Sequence, residues 1–546
     1  MSTDAAIVGD RLFFSSGNYT FDDGQEMRNT SRMYWLTLNN TVDVSGPIDM
    51  SVFGSIDLPS SSLSNSGDST GTFFYDHTSL YPYAGLIGSD SDDINNSLWS
   101  FNTTNDVWRS VQVQGGKISF SNNSDGVYAS DPSTGTSFYT GGWDMAFNGT
   151  NNGTIEFQSF NAESPQWVFE TTTTGIQGPN ILKGAMVYLR KGQSGVLLAF
   201  GGYQTAYPGT ESATWEWDQR PLSDIYIYDT FSNIWYLQEA TGDIPSLRTD
   251  FCAGVSAAPD DSSFQITIHG GWDRFKGQAL NDIYVLSIPS FRWIKVDDTH
   301  NPDLLGGSES PGRTRPKCDV WNNTQLIISG GLVTVNTGNT TDRVILNERC
   351  NHTYPPFKVL DTSTYTWRTK FDPSLEYSVP DAVTAIIGGN SSGHATVQTP
   401  SQGWSSGDLN TIFSKTVPRD TYTPINKASN KSVNSTTTAD PGDINDSLSQ
   451  GAIAGIAIAV ILGVILILAG TLVWLDRRHA PIPKKMMETA KTMAIARGQW
   501  QKPELEGTHN TRHEMGISEP RPHEVHGEGV MKYELPGCTP SVAELQ

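Results

Sequence analysis

The 546-residue chain carries 36 Lys and Arg against 58 Asp and Glu, a formal net charge of −22. A surface that acidic argues against nucleic acid and against adhesion to anionic lipid, and its simplest consequence is solubility. Ten basic and ten acidic residues follow Leu475, so the whole imbalance belongs to the residues before it.

Read from the N-terminus, one unit recurs: an apolar strand ending in glycine, a second strand, then a strand carrying tryptophan. The first copy is Leu12 to Gly17 with Met33-Tyr34-Trp35-Leu36, and the second is Ala84 to Gly88 with Leu98 to Phe101 and Val107-Trp108. The third is Ser137 to Gly142 with Trp167. The fourth runs Leu197 to Gly202, Asp224 to Asp229 and Ile234-Trp235-Tyr236; the fifth Ile266 to Gly271, Asp282 to Leu286 and Arg292-Trp293; the sixth Leu326 to Gly331, Phe357 to Asp361 and Thr366-Trp367. The early copies are degraded: Gly17 stands alone, and Ser89 occupies the place of a second glycine.

A repeat of roughly 50 residues with four short strands, separated by Gly, Asn, Asp and Ser, predicts an all-β propeller. One such sheet cannot bury both faces, so the units must stack around a ring. The paired glycines suit a crowded strand end where the backbone turns with positive φ, and the tryptophans suit an outer strand wedged against the next blade. After Trp367 the run Ala382 to Gly389 and an isolated Trp404 read either as half a seventh blade or as a strand closing the ring against the N-terminal region. The expectation is six blades plus a closing segment.

The pattern resembles the kelch repeat, and the resemblance covers about residues 5 to 405. It implies a ligand face built from the loops between the second and third strands of each blade. Those loops hold Tyr19, Trp143, Tyr203, Trp215, Trp217, Trp272, Asp273 and Arg274. Flat aromatic faces beside carboxylates and guanidinium donors bind sugar rings or peptides, against the plainer reading that Trp143 and Trp272 pack between blades. Kelch propellers also include galactose oxidase, whose copper site needs two tyrosines, two histidines and a cysteine linked to one tyrosine. Here His77, His269, His300, His352 and His394 are isolated, with no metal-ligand spacing, and His269 reads as a packed strand residue. The run Asp90-Ser91-Asp92-Asp93 reads as a solvated turn. The reading is therefore no enzyme, no cofactor and no metal.

Cys252, Cys318 and Cys350 precede the charge boundary and Cys538 follows it. Cys318 and Cys350 flank one blade's Gly330-Gly331 strand, which predicts that they pair, leaving Cys252 as a buried thiol or joined to a cysteine upstream of Met1. Asn-x-Ser/Thr sequons begin at Asn18, Asn29, Asn39, Asn95, Asn102, Asn122, Asn148, Asn152, Asn322, Asn339, Asn351, Asn390, Asn430, Asn434 and Asn445, and none lies beyond Gly451. Residues 406–450 turn to Ser, Thr, Asn, Asp and Pro and read as a stalk. Residues 451–475 are uncharged, mostly Ala, Ile, Val and Leu, and long enough to cross a hydrocarbon core of about 30 Å. Arg477, Arg478, Lys484 and Lys485 follow, which places residues 476–546 in the cytoplasm as a mostly unstructured tail and residues 1–405 outside at the plasma membrane. Residues 1 to 10 offer neither a basic start nor an apolar stretch, so the reading expects an incomplete N-terminus.

The whole arrangement looks like the kelch-repeat single-pass membrane proteins of filamentous fungi. The leading functional expectation is a non-enzymatic cell-surface recognition protein for a carbohydrate or protein ligand, with protein partners on the tail. The alternatives are a copper-radical oxidase resembling galactose oxidase and a structural membrane glycoprotein.

Overall fold

A computed structural model describes residues 4–15, 19–20, 26–27, 32–59, 72–83, 97–114, 123–144, 153–169, 175–204, 218–296, 312–336, 343–345 and 355–419. The chain divides into two compact units, Met1–Lys431 and Ser432–Gln546, and every described residue lies in the first. The expected stalk beyond Arg419, the apolar segment 451–475, the tail, Cys350, Trp215 and Trp217 lie outside the described residues. Among the described residues no helix is long and apolar enough to cross a membrane.

Six sheets, each built on four antiparallel strands, make up the body. Their innermost strands are Asp4–Val8, Thr72–Tyr75, Val127–Asp131, Ala185–Leu189, Cys252–Ala257 and Lys317–Trp321. Each touches the next, and the sixth touches the first, so the six blades close a ring around a channel. The second strands are buried on both faces because each sheet is covered by a neighbour on both sides. Val196–Phe200 and Phe264–His269 are buried throughout.

Trp235, Trp293 and Trp367 lie in the outermost strands of their blades, each against the preceding blade, whereas Trp35 of the first copy stands in the third strand, Arg32–Thr37. Trp293 Nε1 donates to Leu222 O of the fourth blade at 2.7 Å. Trp235 meets Phe157 of the third blade edge-on, and Trp367 meets His269 of the fifth in the same way. The glycine pairs turn with positive φ, and Gly270 has a steric reason as well: a Cβ there would stand 2.5 Å from Arg313 O of the next blade.

Ring closure differs from the expectation. All four strands of the first blade come from one stretch, ending at Phe53–Asp57. The clasp is the short strand Lys370–Phe371, which pairs with Val42–Asp43 between two strands of that blade. Residues 382–389, read as a strand, are helical instead. Helix α1 spans Asp381–Ile387, with Val383 and Ile387 buried one turn apart and Ala382, Ala385 and Ile386 exposed. Its Gly388 at φ +73 ends the helix, so here the Gly-Gly pair is a helix terminus, not a strand end.

The folded body also extends past residue 405 to Arg419. Helix α2, Gly407–Phe413, buries Leu409 and Phe413, and Phe413 stacks on Trp404 with Phe291 edge-on to both. Residues 412–417 then bond to the fourth blade: Gly192 N–H donates to Ile412 O and Lys415 O, and Val417 N–H to Arg190 O. Arg190 and Arg419 both pair with Asp261 of the fifth blade. This strap therefore grips the turns that follow the inner strands Ala185–Leu189 and Cys252–Ala257.

Candidate functional site

At the opposite end of those strands the blades repeat one piece of local geometry. Before each inner strand a lead-in residue pairs with the residue just after a glycine pair: Ser124 with Trp143, Leu182 with Tyr203, Thr249 with Trp272, Thr314 with Leu332. The next residue is left-handed in all four blades: Asp125, Lys183, Asp250 and Arg315 have φ between 56 and 63°. They are linked around the channel through the backbone. Lys183 N–H donates to Asp125 O, Asp250 N–H to Lys183 O, and Arg315 N–H to Asp250 O, at 2.7 to 2.8 Å.

Their side chains alternate in charge around this mouth. Lys183 Nζ lies 3.7 Å from Asp125 and 4.0 Å from Asp250, and Arg315 Nε lies 3.2 Å from Asp250. Burial pushes the Asp250 carboxyl up, against the pull of Lys183 and Arg315. A cavity of about 70 Å³ opens between these groups, and a larger one of about 340 Å³ continues down the channel between the inner strands. That volume falls in the range of small-ligand clefts. Its walls carry Tyr75, Tyr128, Tyr188, Lys317 and Asp319. Burial raises the Asp319 carboxyl to about 7, with Lys317 and the Ile7 N–H opposing.

The sequence-predicted site residues separate into three groups. Tyr203 and Trp272 occupy equivalent positions on the rim, half-buried, and the backbone of Trp143 joins them at the end of Thr136–Asp144. Arg274 is exposed on the hairpin beyond Trp272. Asp273 is not available to a ligand: it is buried, and its Oδ1 accepts the N–H groups of Phe275 and Lys276 within its own turn. Trp215 and Trp217 lie outside the described residues, as does Asp90 to Asp93.

His269 is a packed residue, fully buried beside Trp367, and burial with Lys358 and Arg313 nearby keeps its imidazole neutral. Among the described residues no three His, Cys, Asp or Glu side chains are grouped to hold a metal.

The disulfide expectation is corrected. Cys318 bonds Cys252, with Cα atoms 5.4 Å apart, because the inner strands of the fifth and sixth blades are neighbours in the channel wall. Sequence reasoning also missed the four mouth residues. What they share is a left-handed backbone, and their side chains are of both charges, so no residue-type motif marks them.

Six four-stranded blades, paired left-handed glycines and tryptophan-sealed interfaces define a kelch-type β-propeller. A family model described as the KLHDC2/KLHL20/DRC7 Kelch-repeats domain matches residues 72–331. A "Kelch repeat-containing protein" of the fungus Arthroderma benhamiae is 26% identical over 559 residues, covering 90% of this chain and 77% of that protein. "Host cell factor" of Drosophila melanogaster is 27% identical over 169 residues, which is 30% of this chain and 10% of that protein. A solved chain titled "Structure of YjhT" aligns over 67% of this chain and 96% of its own length at 14% identity and a TM-score of 0.40. The chain carries a kelch-repeat β-propeller.

Proposed function

We propose that this is a non-enzymatic cell-surface recognition protein whose propeller rim binds a protein or carbohydrate ligand outside the cell. The observation that carries the reading is the collection of Tyr203, Trp272 and the Trp143 backbone around one channel mouth, backed by the charge ring of Asp125, Lys183, Asp250 and Arg315. The strap and the exit at Arg419 occupy the other end of the inner strands, which leaves this rim unobstructed by them.

Two features support an extracytoplasmic setting. A disulfide between Cys252 and Cys318 persists in an oxidising compartment. Of the sequon asparagines within the described residues, Asn39, Asn322 and Asn390 are exposed, as glycan attachment requires. In this reading residues 451–475 cross the plasma membrane once and residues 476–546 meet protein partners in the cytoplasm.

The test is retention of the full-length protein on glycan, cell-wall and surface-protein arrays, with Tyr203→Ala and Trp272→Ala together. Loss of a ligand that wild type retains, at unchanged melting temperature, supports the rim; unchanged retention removes it.

A further inference from the structure

The hairpin after the fifth blade's glycine pair ends in Asp273-Arg274-Phe275-Lys276-Gly277. Phe275 is 79% exposed, more than any other large apolar side chain among the described residues. An isolated apolar residue on a surface is ordinary, but this one is held in place. Asp273 Oδ1 accepts the N–H groups of Phe275 and Lys276, each at 3.0 Å, and Gly277 N–H donates to Asp273 O at 2.8 Å. Gly277 is left-handed at φ +64 with nothing within 4 Å of a Cβ position, so glycine serves the turn's backbone and not its packing. Trp272 pairs with Ala279 and Asp273 with Gln278, which closes the hairpin behind the tip.

Two cations flank this fixed phenyl ring on a chain of net charge −22. Arg274 is exposed, and the Lys276 side chain is 58% exposed with Nζ 3.3 Å from Asp273 Oδ2. Aromatic and Arg side chains are the usual anchors of protein interfaces, and a turn already ordered loses less entropy on binding. Opposite charge on the rim of a partner's pocket then selects which partner docks.

We propose that the Arg274-Phe275-Lys276 tip is an anchor for an acidic protein partner, with Phe275 entering an apolar pocket and the two cations meeting carboxylates around it. The inference rests on the rim being the recognition face. A bilayer fits less well, because burying one phenyl ring contributes only about 2–3 kcal/mol.

The experiment places a photoreactive group in the full-length chain as Phe275→benzoylphenylalanine, with Tyr203→benzoylphenylalanine in parallel, and irradiates the producing cells. The expected result at position 275 is one discrete protein adduct whose attachment peptide is rich in Asp and Glu. Adding Arg274→Glu and Lys276→Glu should lower its yield about tenfold at unchanged melting temperature. A lipid adduct, a second copy of this chain, an acid-poor attachment peptide, no adduct, or a yield indifferent to charge reversal each overturns the anchor. Capture at Tyr203 without capture at 275 leaves the rim reading standing and the anchor refuted; silence at both removes both.

Discussion

Lys317 of the sixth blade reaches Tyr128 of the third, its Nζ 3.2 Å from the phenol oxygen and 5.0 Å from the ring centre. In a ring of six these blades face each other, so one side chain bridges the channel below its charged mouth. Lys317 is also the cation nearest to Asp319 in effect, holding that carboxyl down against burial. Lys317→Met should raise the Asp319 carboxyl further and destabilise the protein by about 1 kcal/mol at pH 8, where Asp319 is ionised. At pH 5 the loss should be smaller. Thermal melts at the two pH values check this.

Asp319 itself makes stability depend on pH. Its folded value of about 7 exceeds the unfolded value of about 4, so the native state holds the extra proton between them and stability falls as pH rises through that window. Asp319 keeps some solvent access through the channel, which limits the effect. Asp319→Asn should flatten the slope, gaining about 1–2 kcal/mol at pH 8 and nothing at pH 4. Denaturant titrations across pH 4 to 8 measure it.

The Cys252–Cys318 bond ties two neighbouring blades across 66 residues of sequence. Non-reducing peptide mapping should recover this pair. Cys252→Ser with Cys318→Ser should lower stability by about 2–4 kcal/mol. A map linking Cys318 to Cys350 would refute the assignment.

Arg248 is fully buried, donating to both Asp282 oxygens and to Gly270 O. Arg248→Met removes the cation and leaves the Asp282 carboxylate and the Gly270 carbonyl short of donors. The expected loss is about 3 kcal/mol, read as a lower denaturation midpoint. Arg313 has the corresponding role in the next blade, donating to Gly330 O and Pro355 O.

The ring was legible because its requirements are steric and local. Gly270 has no room for a side chain, and Trp293 must reach the blade beside it, so the glycine pair and the outer-strand tryptophan recur together in the fourth, fifth and sixth blades. The closing segment misled because Gly388-Gly389 meets the same backbone demand at a helix end as the blade pairs do at a strand end. The partner of Cys318 was hidden because ring neighbours need not be sequence neighbours. Asp273 illustrates the limit at the site: an acidic residue beside an aromatic reads as a ligand contact, yet its oxygen is used up by the turn that presents Phe275.

Protease treatment of sealed microsomes, followed by deglycosylation, tests the outward-facing rim most directly. The account predicts a protected propeller fragment that loses mass when glycans at Asn39, Asn322 and Asn390 are removed, with the chain beyond residue 476 digested. Digestion of the propeller while the C-terminal segment survives would contradict it.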